Sequence, residues 1–253
     1  MYPQKTISFD ELAKETWKNF SSLVVIHGSM AGGALLVINA ILISLLPVYR
    51  DNMNAFGGPP ETIDANFFLQ IYGATLALAL VAFVMDAFFI VRSYDVLENR
   101  LPDSAQAAAL ILRRLLPLLV GGFLMFLILI AGLFLCLIPG IIAAVCLYLM
   151  VPLIVLDQFG PIDSIRESIE QTRGNRWQIF FSFLMAIVIG FVVQIPTFVV
   201  TFWSESPWLT ILVSSACQGV QMTFNASIHA VVFAQIRRLS TGAVSDDVIA
   251  TFE

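Results

Sequence analysis

Charge is what this sequence has least of. Only 12% of its 253 residues are Asp, Glu, Lys or Arg, against about 25% in soluble domains, and 58% are hydrophobic. That balance excludes an ordinary water-soluble domain. Positive charge is the scarcer sign, with 13 Lys and Arg against 18 Asp and Glu. A net negative chain argues against a nucleic-acid binder, because such proteins meet the phosphate backbone with an excess of Lys and Arg. Cysteine occurs three times, and Cys136, Cys146 and Cys217 all sit inside apolar stretches. They read as packing residues rather than disulfide partners. Histidine occurs twice. There is no Walker A loop, no H-E-x-x-H, no G-x-S-x-G and no C-x-x-C, so no familiar catalytic or metal motif is present. The chain is expected to be non-catalytic and to carry neither cofactor nor metal.

What it does have is long apolar runs. About 20 apolar residues, at a rise of 1.5 Å each, cross a hydrocarbon core about 30 Å thick. Six candidates qualify: Phe20–Leu46, Phe67–Val91, Leu115–Ile138, Ile141–Leu156, Ile179–Trp203 and Trp208–Ile236. The few basic residues alternate around them. Lys5, Lys14 and Lys18 precede the first run. Arg92, Arg100, Arg113 and Arg114 separate the second from the third. Arg166, Arg173 and Arg176 separate the fourth from the fifth, and Arg237 and Arg238 follow the sixth. Only Arg50 falls in a connection of the other parity. Lys and Arg are retained on the cytoplasmic side. The expected fold is all-α: one polytopic membrane domain over 1–253, six transmembrane helices, both termini cytoplasmic. No cleavable leader is evident, since the first 19 residues are polar and the run after them is too long for a signal peptide core.

The connections refine this. On the outer side, Tyr49–Asn66 contains Gly57-Gly58-Pro59-Pro60 and reads as an irregular loop. Pro139-Gly140 reads as a tight turn, and Ser204-Glu205-Ser206-Pro207 as another, flanked by the interfacial tryptophans Trp203 and Trp208. Pro152 is placed to kink the short fourth span. On the inner side, three amphipathic interfacial helices are predicted. One opens with a capping box at Ser8 and Glu11 and runs through Phe9, Leu12, Ala13 and Trp17. A second follows Pro102-Asp103-Ser104 up to Arg113-Arg114. A third starts at Gly160-Pro161, buries Ile162, Ile165 and Ile169, and ends at Gly174. An interfacial helix followed by a two-span hairpin would then recur three times, over 8–98, 103–158 and 161–238.

Leu137-Ile138-Pro139-Gly140-Ile141-Ile142, Val151-Pro152-Leu153-Ile154-Val155-Leu156-Asp157, Gly160-Pro161-Ile162-Asp163-Ser164-Ile165-Arg166-Glu167-Ser168 and Thr172-Arg173-Gly174-Asn175-Arg176-Trp177 together form a signature. It resembles the bacterial YciC family and the related membrane domain attached to some glycerophosphoryl diester phosphodiesterases. The resemblance implies a multi-pass protein of the bacterial inner membrane. It implies no activity, because the phosphodiesterase reaction belongs to a separate soluble barrel for which this chain has no room.

Polar residues at membrane depth are costly and mark function or helix contacts. Ser214, Gln218, Gln221, Asn225 and His229 recur in steps of 4, 3, 4 and 4 on one face of the sixth run. They either bond between helices or line a polar conduit. Asp86, His27 and His229 fall at similar depth, roughly 8–12 Å into the inner leaflet by helix rise. Asp86 is expected to pair with His27, His229 or Arg92, as a polar lock or a proton relay. Gly28, Gly32 and Gly33 on the first run, and Gly121, Gly122 and Gly132 on the third, supply small faces for close packing. Arg113, Arg114, Arg173 and Arg176, with Trp177, form a belt that suits anionic lipid head groups. The expected partners are membrane lipids, anionic ones included, together with a second copy or another membrane protein. The expected role is in envelope or lipid homeostasis or as a membrane scaffold. The alternative is a small transporter or channel with its path along the sixth run and Asp86.

Overall fold

A computed structural model describes residues 8–45, 65–101, 103–204 and 206–252. Arg50, Lys5 and the connection with Gly57-Gly58-Pro59-Pro60 lie outside them. So do Pro102 and Glu205. Every element among the described residues is a helix: α1 (Phe9–Leu45), α2 (Ala65–Leu97), α3 (Ser104–Leu135), α4 (Leu137–Cys146), α5 (Met150–Val155), α6 (Pro161–Gln171), α7 (Arg176–Trp203) and α8 (Pro207–Phe252). Phe9–Asn39, Ser104–Leu135, Leu137–Val155 (α4 and α5 together) and Arg176–Trp203 are long and apolar enough to cross a bilayer. On α3 and α7 very little is buried inside the protein, and Phe123, Phe134, Phe191 and Phe202 face outward. Apolar surface on that scale belongs against lipid. This is a helical membrane protein.

Two of the three predicted interfacial helices are not separate elements. Residues 9–45 and 104–135 are each one unbroken helix. Neither Lys18–Phe20 nor Arg113–Leu115 contains a Gly or Pro, and α3 runs on through Pro117 without a break. At 1.5 Å per residue, α3 is about 48 Å long and outruns the hydrocarbon core. Its polar first turns therefore project from the end of a span. Asp103 caps α3, its carboxylate accepting from the Ala105 N–H at 2.8 Å. Only α6 stands alone, with Pro161 in its first turn and Gly174 beyond its end at φ 88°. The three units are accordingly unlike one another. Only the third opens with a free-standing helix, and only the second returns through a broken one.

The α3–α4 turn also differs from expectation. It lies at Cys136, extended at φ −177°, and Pro139-Gly140 belong to the first turn of α4. Proline costs nothing there, because the first N–H groups of a helix have no intrahelical acceptor. Gly132 and Gly140 let the two helices touch backbone to backbone: a Cβ on Gly132 would meet the Gly140 Cα at 2.9 Å.

α8 is the hub, packing against α1, α2, α5 and α7. α1 presents a single buried stripe of Leu12, Thr16, Asn19, Leu23, His27, Ala31, Leu35 and Asn39, spaced by three or four, which α8 shares with α2: Asn19 donates to the Ser93 carbonyl and His27 packs on Phe89. The crossing works because Gly28 and Gly32 face Gly219, where any side chain would run into the backbone of both. Gly33 is not used; nothing lies within 4 Å of a Cβ placed there. The core concentrates toward the end of the bundle that carries the arginines. There α2 buries Ala87 and Phe89–Tyr94, α5 buries all six of its residues, and α8 buries Ala230–Ile236. This end is called the basic end below.

Candidate functional site

Two features stand out. The first is the break between α4 and α5 at Leu147–Leu149, deep in the core. Pro152 explains it. Proline has no N–H, so the Tyr148 carbonyl four residues earlier has no helical donor. Backbone left bare at membrane depth is tolerated only inside protein, and only when its polar groups are satisfied. Ser168 of α6, itself fully buried, does this on both sides of the gap. Its hydroxyl donates to the Cys146 carbonyl at 2.7 Å and accepts from the Leu149 N–H at 3.3 Å. His229 of α8 covers the gap from the other side, stacking on the Tyr148 ring with centroids 4.0 Å apart and planes 5° from parallel. Asp86 of α2 is half-buried and within electrostatic reach of Tyr148.

The expected grouping of Asp86, His27 and His229 is thus divided in space. His229 and Asp86 both neighbour Tyr148. His27 packs on Phe89 at 5.1 Å, and neither of its ring nitrogens has a partner among the described residues. Arg92, six residues beyond Asp86, turns away from it. It donates to Ser104 Oγ at 2.6 Å and lies over the Phe88 ring. No ion pair joins Asp86 to His27, His229 or Arg92 among the described residues. Tyr148, central to this arrangement, was not singled out from the sequence. Its signal was Pro152 four residues later.

The polar stripe of α8 is half-buried rather than enclosed. Ser214 donates to the Ile211 carbonyl of its own helix. Gln221 lies across Gly190 of α7, where a Cβ would meet its amide nitrogen at 2.6 Å. Gln218 and Asn225 are half-buried. The fully buried polar residues of α8 lie beside it: Ser215 and Thr223, next to Gly32 and Gly28 of α1, and Ser227.

The second feature is a cavity of about 980 Å³ at the basic end, between the end of α2, the start of α3, the α5–α6 link and α8. Four arginines line it (Arg100, Arg113, Arg237 and Arg238), with three acids, Asp95, Glu98 and Asp157. Val91, Leu110 and Leu156 supply apolar wall, and Tyr94 a phenol. Arg237 bonds Asp157 at 3.0 Å and Arg238 bonds Glu15 of α1 at 3.1 Å. Gln235 holds the other Glu15 oxygen at 3.0 Å. Burial pushes the Asp157 carboxyl up from its ordinary 3.8; Arg237 opposes this, and Glu167 adds to it. Burial likewise pushes Asp95 up, against the pull of Arg100 and Arg92.

Of the residues expected to meet head groups, only Arg113 lines this cavity. Arg114 donates to Gln158 Oε1 at 2.6 Å. Arg173 is exposed on the α6–α7 link and Arg176 at the start of α7, and Trp177 is 71% exposed beside Phe180 and Phe181. The acids of the cavity were missed from the sequence. Asp95 and Glu98 do fall one helical turn apart on the face of Val91 and Tyr94, a spacing that could have found them.

Residues 65–236, about two thirds of the chain, match the family model described as Domain of unknown function (DUF7847). The match takes in the broken span and the cavity lining as far as Ala234, and stops short of Arg237 and Arg238. No curated protein and no solved structure matches the chain.

Proposed function

We propose that this chain, which belongs to the DUF7847 family, is a non-catalytic six-span membrane protein that takes up lipid head groups at its basic end, on the cytoplasmic side. The observation that carries this reading is the basic-end cavity: lined by both charged and apolar side chains, and set at the end of the bundle that carries the arginines. Arginine is suited to phosphate because its planar fork donates two parallel hydrogen bonds. The alternation of Lys and Arg along the chain supports the orientation. The resemblance of residues 137–177 to the YciC family accords with a multi-pass protein of the inner membrane. A role in lipid or envelope homeostasis follows from uptake without chemistry.

A small transporter is the second reading, favoured by one observation. Discontinuous helices with half-buried polar groups around the gap are the usual site of substrate and coupling ions in transporters, and the α4–α5 break beside Asp86 and His229 has that form.

The test is native mass spectrometry of the full chain purified gently with its own lipids. Uptake predicts phospholipid adducts that diminish in Arg100→Gln/Arg113→Gln. A bare protein, or adducts indifferent to that double substitution, would overturn the reading.

A further inference from the structure

We infer that the basic-end cavity selects a zwitterionic aminophospholipid: a phosphodiester anion and a protonated primary amine on one head group, carried on apolar chains. This rests on the lipid uptake proposed above and assigns its chemical class.

The charges decide it. Two of the four arginines are already engaged, Arg237 by Asp157 and Arg238 by Glu15. The groups left to meet a ligand are Arg100 and Arg113 on one side of the balance, Asp95 and Glu98 on the other. They cancel in sum but not in place. Asp95 and Glu98 sit one helical turn apart at the end of α2, where Arg100 pulls on Asp95 and Glu98 pairs with no described base. Arg113 stands on a different helix, two turns into α3, and pairs with no described acid. A site with a cationic wall and an anionic wall is complementary to a ligand with one charge of each sign. A purely anionic head group would satisfy Arg113 and leave Asp95 and Glu98 facing more negative charge. Asp95 is half-buried, and its carboxyl is already pushed up by burial, so it gains from an ammonium. A quaternary amine carries the charge but no N–H, and would forfeit the charge-assisted hydrogen bonds to the two carboxylates.

The walls point to a lipid rather than a soluble phosphoamine. Val91, Leu110 and Leu156 give the cavity an apolar wall, against which a glycerol backbone and the start of its chains would lie. The volume, about 980 Å³, stands at the upper end of the roughly 300–1,000 Å³ of small-ligand pockets and exceeds the needs of a head group alone.

The experiment offers the purified full chain, in detergent, phosphatidylethanolamine, phosphatidylcholine and phosphatidylglycerol of identical chains, and soluble glycerophosphoethanolamine. Bound ligand is counted by native mass spectrometry. Phosphatidylethanolamine is expected to bind about tenfold tighter than either other lipid, as one lost charge-assisted contact implies. Asp95→Asn/Glu98→Gln should still take lipid but lose that preference. Arg113→Gln should weaken all three. Glu98 and Arg113 are exposed, and a circular dichroism melt confirms that each variant is folded. Equal or tighter binding of phosphatidylglycerol by the unaltered chain overturns the zwitterion while leaving lipid uptake standing. Soluble glycerophosphoethanolamine binding as tightly as the lipid overturns the lipid as source. No lipid bound by the unaltered chain overturns uptake itself, and this inference with it.

Discussion

At the scale of single residues, the least replaceable polar group is the Ser168 hydroxyl. It answers one donor and one acceptor of a backbone that cannot answer itself. Ser168→Ala leaves the Leu149 N–H and the Cys146 carbonyl unmatched in the core, at about 1–3 kcal/mol for each group left bare. Thermal unfolding in detergent should show a clear drop in Tm. Ser164→Ala is the control: its hydroxyl is equally buried but only returns to Pro161 in its own helix, and its loss should be several times smaller. Equal drops would mean that the bridge to the broken span does not matter. Asp157 makes a pH prediction. Its carboxyl holds its proton to higher pH in the folded chain than in the unfolded one, because burial outweighs Arg237. The folded state binds more protons across that window, so stability falls as pH rises from 3.8 through the folded pKa. Asp157→Asn should flatten that decline in melts taken across the range. A wild-type chain that gains stability with rising pH there, relative to the variant, contradicts the assignment. Ser168 belongs to the run that carries the family resemblance, yet its partners are 19 and 22 residues away in sequence. Spacing along the chain marks such a residue without saying what it touches.

At the scale of helices, the α1–α8 crossing is set by three glycines. Gly219→Leu drives a side chain into the backbone at Gly28 and Gly32, and backbone cannot step aside as a rotamer can. Overpacking of this kind costs about 1–3 kcal/mol or more. Gly33→Leu, which meets nothing within 4 Å, should be tolerated. Melts of the two variants side by side decide it, and comparable losses would show that the helices cross elsewhere. Gly32 and Gly33 looked alike in sequence, since Gly28, Gly32 and Gly33 form one small-residue face. Only the partner's position tells which of two adjacent glycines lies in the contact. The polar first turns of α1 and α3 carry a similar lesson. Amphipathic periodicity reports which face is wet, and it is the same for a helix lying on a membrane and for a span projecting beyond it. What separates them is a break in the backbone, and residues 18–20 and 113–115 hold no breaker.

At the scale of the whole molecule, the six-span reading has one orientation to defend. Leu101, on the α2–α3 link at the basic end, is 94% exposed. Cys136, at the α3–α4 turn, is exposed at the other end and is native to the chain. With Cys146 and Cys217 replaced by Ala, a membrane-impermeant maleimide should label Cys136 from the outside of intact cells. With Cys136 also replaced and Leu101→Cys introduced, label should enter only in inside-out vesicles. Labelling of both from one side would remove the topology. The two sites at this scale are built differently. The broken span draws on α2, α4, α5, α6 and α8, and the cavity on α2, α3, α8 and the α5–α6 link. Neither can form until the hairpins have packed around α8.

The sequence by itself determined the solvent: apolar runs of bilayer length, with scarce arginines gathered between alternate runs, leave lipid as the medium, and helices as the form that satisfies every backbone group within it. It also marked the proline that breaks a span and the glycines that allow close crossing, because both act through local backbone chemistry. Only the tertiary structure decided that Ser168 closes the break and that His229 stacks on it. It alone brought Asp95, Glu98 and Arg113 into one cavity, and it placed Arg173, Arg176 and Trp177 away from it. Charge and periodicity along one helix specify a face. A site is the meeting of faces from several helices, and that depends on how the whole bundle packs.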